Sequence, residues 1–251
     1  MTDLTPPTSL VNSQIDGFLS DKYLQEYNEL LEKLTATERI DWALQNLPSK
    51  FVLSSSFGIQ SAVMLHMLTQ VDANMPIILT DTGYLFPETY QFIEQLTERL
   101  SLNLHVYSAK ESAAWQRAKY GREWEGDDSA LKAYNRRNKI EPLEQGLSNL
   151  KAGTWFTGVR RQQSTYRRSL SVVSLLRGRC KVHPIIDWSN KDIHQYLTRH
   201  QLPYHPLWEK GYVSVGDVHS TRPLTAGMIE SDTRFVGRQR ECGLHTDGDG
   251  I

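Results

Sequence analysis

Ser54-Ser55-Ser56-Phe57-Gly58-Ile59-Gln60-Ser61 is the stretch on which the reading of this chain turns. Before it, residues 50–53 form a short apolar run of the kind that makes a buried strand. After it, residues 61–69 are apolar enough for a buried helix. A turn of small residues between a strand and a helix lets backbone N–H groups approach an anion, and the helix N-terminus adds favourable partial charge. Three serine hydroxyls supply further donors. The stretch has no Gly-Lys-Ser/Thr and is not a Walker A loop. A serine-rich turn that only caps a helix has the same composition, so residues 54–60 are a candidate anion site rather than an assigned one.

Working outward, the strand–helix alternation repeats. Residues 17–47 predict two helices, the first from Leu24, Tyr27, Leu30, Leu31 and Leu34 at helical spacing, the second beginning after Thr37. Strands are predicted at 75–80, 102–107, 154–159 and 182–186. Helices are predicted at 87–100, over much of 109–150 and at 190–200. Residues 201–251 are rich in Gly and Pro with little periodicity and read as an extended, irregular tail. Strands alternating with helices indicate an α/β fold: an open, mostly parallel sheet with helices on both faces. The expected organisation is an N-terminal tail over 1–16, a nucleotide-binding α/β domain over 17–208 and a C-terminal tail over 209–251.

Composition narrows the function classes. The 251 residues are 39% hydrophobic and 23% charged, enough for a packed core. The net charge of −1 gives no global basic field for nucleic acid, so an anion site must be local. No apolar run reaches the roughly 20 residues of a membrane helix. The first residues carry neither a basic start nor an apolar core, and the expected location is the cytoplasm. The two cysteines, Cys180 and Cys242, cannot provide the thiolates of a four-iron cluster, and no metal site is expected.

In a parallel sheet, ligands bind beyond the carboxyl ends of the strands. That places two more loops beside 54–60. Thr80-Asp81-Thr82-Gly83 follows the strand at 75–80 and is also compatible with a simple Asx turn. Gly158-Val159-Arg160-Arg161-Gln162-Gln163-Ser164 follows the strand at 154–159 and leads to Arg167 and Arg168. Four arginines in nine residues are a strong local anion signal, since guanidinium forks match phosphate oxygens. A solvated basic face is the competing reading.

Cys242 lies in Arg240-Glu241-Cys242-Gly243-Leu244-His245. Arg238, Arg240 and His245 offer positive charge that favours the thiolate, a strong nucleophile. An adventitious exposed thiol is the alternative. Cys180 precedes the run at 182–186 and is expected to be a partly buried structural thiol.

Taken together these blocks resemble a known family. The first two loops are similar to those of the PP-loop nucleotide-binding fold. Arg240 to His245 resembles the Glu-Cys-Gly-Ile/Leu-His signature of the PAPS (3'-phosphoadenylyl sulfate) and APS (adenylyl sulfate) reductases. Gly216–Thr221, Pro184–Trp188 and Tyr204–Trp208 also look like blocks of that family, in the same order. The resemblance runs from about residue 25 to His245.

It implies a cysteine S-sulfonate mechanism with Cys242 as the catalytic residue. Substrate contacts are implied from Ser54, Ser55, Ser56, Phe57, Gly58 and Gln60; from Thr80, Asp81, Thr82 and Gly83; from Gly158, Arg160, Arg161, Ser164 and Arg168; and from Arg238, Arg240 and His245. The branch with an iron–sulfur cluster carries extra cysteines that this chain lacks, so PAPS is the implied substrate. Reduced thioredoxin or glutaredoxin is the implied electron donor, sulfite and adenosine 3',5'-bisphosphate the products, and a homodimer one option. A cluster-free APS reductase, an ATP pyrophosphatase of the same fold and a non-catalytic nucleotide sensor remain open alternatives.

Overall fold

Val52 and Leu53 are adjacent, apolar and each 1% exposed, and successive strand residues face opposite sides of a sheet. A strand buried this way needs cover on both faces, and the fold supplies it. The structure is a computed structural model that describes residues 21–235. Strand β1 (Phe51–Ser54) lies at the centre, parallel to β2 (Pro76–Asp81) on one side and β4 (Thr154–Thr157) on the other. Strand β3 (Asn103–Ser108) extends the sheet beyond β2, and β6 (Arg179–Val182) extends it beyond β4, both parallel. Strand β5 (Val173–Leu176) closes that edge antiparallel to β6, giving the order β3-β2-β1-β4-β6-β5.

One face carries Leu53, Ile77, Leu79 and Phe156 into the larger core. There they meet α2 (Ala36–Asn46), α3 (Ala62–Val71), α4 (Pro87–Leu100) and α8 (Asn190–Arg199). The opposite face carries Val52, Ile78 and Trp155 against Leu143 and Leu147 of α7 (Glu141–Asn149). This is the open, mostly parallel, doubly covered sheet that the alternation predicts.

Helix α1 (Asp21–Leu31) lies along β5. Its Asn28 carboxamide donates to the Val173 carbonyl at 2.9 Å and accepts from the Val173 N–H at 2.9 Å. Between β3 and α7 run α5 (Ala113–Tyr120), α6 (Asp128–Asn135) and a π-helical turn at Arg136–Ile140.

Three expectations need correction. The second helix begins two residues before the predicted start, because Thr35 rather than Thr37 caps it. The Thr35 hydroxyl accepts from Glu38 N–H at 3.3 Å, and the Glu38 carboxylate accepts from Thr35 N–H at 2.7 Å. Of the strand expected at 182–186, only Val182 lies in one, at the end of β6. Pro184 has no N–H for a ladder, and the segment turns there, with Ile186 N–H donating to the His183 carbonyl at 3.2 Å. The strand pair lies upstream, a hairpin turning through Arg177 and Gly178, both at positive φ (53° and 72°), as a two-residue hairpin turn requires. Cys180 therefore sits inside β6. It is fully buried, and burial pushes its thiol up to about 12.

Residues 201–235 are irregular, as expected, but not extended. His205 N–H donates to the Ile59 carbonyl at 3.2 Å, and Leu207 and Val215 pack on Ile59. Leu85 and Asp217 form an isolated bridge, so the segment folds back over the carboxyl ends of β1 and β2.

Candidate active site

Strands β1, β2 and β4 stop at the same end of the sheet, and the three loops that follow them surround a cavity of about 620 Å³. Ser54, Ser55, Ser56, Gly58 and Gln60 line it from the first loop, Thr80 and Thr82 from the second, and Gly158 and Arg160 from the third. A close approach holds the third loop in place: a Cβ at Gly158 would lie 3.2 Å from Met64 of α3. Ser61, at the N-terminus of α3, also lines the cavity, and its buried hydroxyl has no hydrogen-bond partner. An unsatisfied hydroxyl at a helix N-terminus suits an anion, whose oxygens accept from it.

Arg160 is a buried cation of the site, 5% exposed. Its guanidinium donates to Gln60 Oε1 at 2.7 Å, Asn190 Oδ1 at 2.9 Å and the Trp188 carbonyl at 3.1 Å. These three acceptors are neutral and fix the direction of the fork. Arg167 also reaches the cavity and donates to Gln163 Oε1.

The other predicted residues lie elsewhere. Arg161 turns to the residue that follows α1, bonding the Glu32 carboxylate and the Leu170 carbonyl. Arg168 is exposed and off the cavity wall. Ser164 is also off the wall and accepts from Arg167 N–H at 3.3 Å. Phe57, at φ 48°, points into the core, so it shapes the first loop without facing the cavity. Asp81 and Gly83 form the Asx turn: Asp81 Oδ1 accepts from Gly83 N–H at 2.8 Å and from Tyr90 O–H at 2.8 Å. Arg238, Arg240, Cys242 and His245 lie outside the described residues.

A second wall was not legible among the loops. Lys139 enters from the π-helical turn and pairs with Asp217 at 2.8 Å, with both side chains nearly dry. Thr82 donates to the other Asp217 oxygen at 2.6 Å. Burial alone would raise the Asp217 pKa, but the Lys139 ammonium and these hydrogen bonds reverse that and hold it at about 2. Arg234 also lines the cavity and lies flat on Gly216, where a Cβ would collide with the guanidinium. His219 is stacked on Trp124 at 3.8 Å between ring centroids, with Tyr84 and Tyr134 edge-on to it. Burial, opposed by nearby Asp217, lowers its pKa to about 4, and it does not face the cavity.

Among the described residues, Lys139, Arg160, Arg167 and Arg234 therefore face the same cavity as two carboxylates, Asp217 and Glu230. The described lining thus carries net positive charge in a chain whose overall charge is −1.

The phosphoadenosine phosphosulfate reductase domain matches residues 50–223. The phosphoadenosine 5'-phosphosulfate reductase of Shewanella oneidensis is 60% identical over 222 residues, covering 88% of this chain and 91% of that protein. The enzyme of the same name from Alteromonas mediterranea is 58% identical over 233 residues, covering 93% and 94%. Among solved structures, the phosphoadenylyl-sulfate reductase of Candida auris, a phosphate complex, superposes with a TM-score of 0.72 at 29% identity, covering 81% of this chain and 98% of that one. An FMN adenylyltransferase from Candida glabrata shares the fold, with a TM-score of 0.55 at 16% identity, covering 92% and 84%. With the three loops, the cationic cavity and this similarity along most of its length, the chain belongs to the phosphoadenosine phosphosulfate reductase family, oxidoreductases of sulfur compounds.

Proposed function

We propose that the chain reduces 3'-phosphoadenylyl sulfate to sulfite and adenosine 3',5'-bisphosphate, with Cys242 as nucleophile and a dithiol protein of the thioredoxin or glutaredoxin type as electron donor. The observation that carries the reading is the cationic cavity at the carboxyl ends of β1, β2 and β4, floored by serines. A nucleotide with a phosphosulfate and a 3'-phosphate needs two separate sets of anion partners. The cavity offers one around Arg160 and Arg167 and another around Lys139 and Arg234.

The chemistry balances with these groups. The Cys242 thiolate attacks the substrate sulfur, a sulfur–sulfur bond forms, and the bond from sulfur to the 5'-phosphate oxygen breaks. Negative charge then grows on the departing phosphate, where arginine and serine donors stabilise it. A thiolate of the donor protein next attacks the Cys242 sulfur and expels sulfite. The donor's second thiol resolves the mixed disulfide, so two electrons come from the dithiol. Cys180 cannot be that second thiol: it is buried, and a thiol held near 12 is protonated at neutral pH. The donor's thiols stay reduced in the cytoplasm, where we place the enzyme. With only two cysteines in the chain, the cycle runs without an iron–sulfur cluster.

The test is to incubate the protein with the sulfonucleotide and follow two signals: sulfite release with reduced thioredoxin, and the mass of the intact protein without it. The wild type is expected to release sulfite and to gain one sulfonate group on Cys242. Cys242→Ser is expected to do neither. Normal turnover by Cys242→Ser overturns the mechanism, and equal use of adenylyl sulfate overturns the substrate assignment.

A further inference from the structure

We propose that Trp155 is a positioning residue for the anion-binding wall: its indole N–H occupies the acceptor side of Ser54 and commits the Ser54 hydroxyl to donating into the cavity. The inference rests on the reading that sulfonucleotide anions occupy this cavity. Trp155 lies in β4, one strand over from Ser54 at the end of β1, and its Nε1 is 2.7 Å from Ser54 Oγ. An indole N–H can only donate, so the serine oxygen must be the acceptor in this bond. The serine hydrogen is then left to point elsewhere, and Ser54 lines the cavity.

Three neighbours have the same polarity. Ser55 Oγ accepts from Phe57 N–H at 3.1 Å. Gln60 Oε1 accepts from Arg160 Nη2 at 2.7 Å, and Gln163 Oε1 accepts from Arg160 N–H at 3.0 Å. A guanidinium and a backbone N–H are also donors only, so both amides turn their oxygens to the protein and keep their NH₂ groups for other partners. Four neutral side chains of the wall are thus wired as donors, an arrangement that favours phosphate or sulfate oxygens over groups that themselves donate.

Trp155 is the deepest of these supports, 1% exposed and fixed in the sheet. Behind it, its register partner Lys181 places Nζ 4.4 Å from the ring centroid. A cation on the π face draws electron density from the ring and strengthens the N–H as a donor.

The experiment compares wild type, Trp155→Phe, Ser54→Ala and the double variant. Titration calorimetry measures binding of adenosine 3',5'-bisphosphate and of uncharged adenosine, and steady-state kinetics separate KM from kcat. Trp155→Phe removes the N–H together with the pyrrole half of the indole, so a thermal melt accompanies it and the uncharged adenosine reports any general loosening of the site. We expect bisphosphate affinity to fall and KM to rise by about three- to tenfold, the worth of one hydrogen bond. Adenosine binding should be nearly unchanged, and the double variant should be no weaker than Ser54→Ala. Equal loss for adenosine and bisphosphate, or losses that multiply in the double variant, overturns the inference. A second measurement needs no change at Trp155: one of the six indole N–H resonances should shift between wild type and Ser54→Ala, and no shift overturns it. A wild type that binds the bisphosphate no more tightly than adenosine overturns the underlying functional reading instead.

Discussion

Lys139 and Asp217 are 2.8 Å apart with almost no water around either. Each charge is tolerable in that place only because of the other, and Thr82 secures the carboxylate from a third direction. Lys139→Met is therefore expected to destabilise the protein by roughly 3–5 kcal/mol, the cost of leaving one buried charge uncompensated. Urea denaturation measures the loss. Lys139→Met combined with Asp217→Asn should recover part of it, and an effect that is fully additive would show the two groups to be uncoupled. No local sequence feature announces Lys139. It follows Arg136, Arg137 and Asn138 in a run that reads as a solvated helix face. The π-helical turn adds a residue to the helical cycle and brings Lys139 to the inside.

Elements here begin and end where side chains satisfy loose backbone groups. The start of α2 is an instance: Thr35 and Glu38 form a reciprocal pair, while Thr37, two residues later, is exposed on the first turn. Thr35→Ala is expected to lower stability by about 1 kcal/mol. Thr37→Ala should change it by less than about 0.5 kcal/mol. Thermal melts of the two variants would settle which residue caps the helix, and equal losses would argue against Thr35. A Ser/Thr-x-x-Glu pattern was legible at Thr35 and outweighs the nearer threonine. The β5–β6 hairpin was legible in the same sense. Gly178 supplies the turn residue and Pro184 forbids a ladder, yet the apolar run around Pro184 drew the strand assignment downstream.

At the scale of the whole molecule, the order of strands and helices follows from apolar periodicity, which is a local property, and so do the three loops at the strand ends. The roof of the cavity is not local. Thr82 and its partner Asp217 are 135 residues apart, and only the folded chain brings the 213–217 segment and Arg234 over the loops.

Acid sensitivity is also a property of the whole fold. Burial lowers His205 to about 4 from an ordinary 6.5, opposed by Glu88. It also lowers His219 to about 4, and His183 well below its ordinary value. The unfolded chain gains these protons near pH 6.5, whereas folded His205 and His219 gain them only near pH 4, so unfolding is favoured as pH falls through that interval. His205 shows why: its Nδ1 accepts from Leu207 N–H at 3.1 Å, a bond that a protonated ring cannot make. His205→Asn keeps an acceptor for that bond and removes the titration. Its melting temperature should fall less steeply than that of the wild type between pH 6.5 and 4. Identical slopes would show that His205 does not contribute.

The bond pair between Asn28 and Val173 has an effect beyond fixing α1. A carboxamide has the same donor and acceptor as a peptide unit, so at Val173 the outer edge of β5 already has the partner that an incoming strand would bring. Sheet growth by a foreign chain, the first step of fibril-like association, is thereby discouraged on this rim by one side chain.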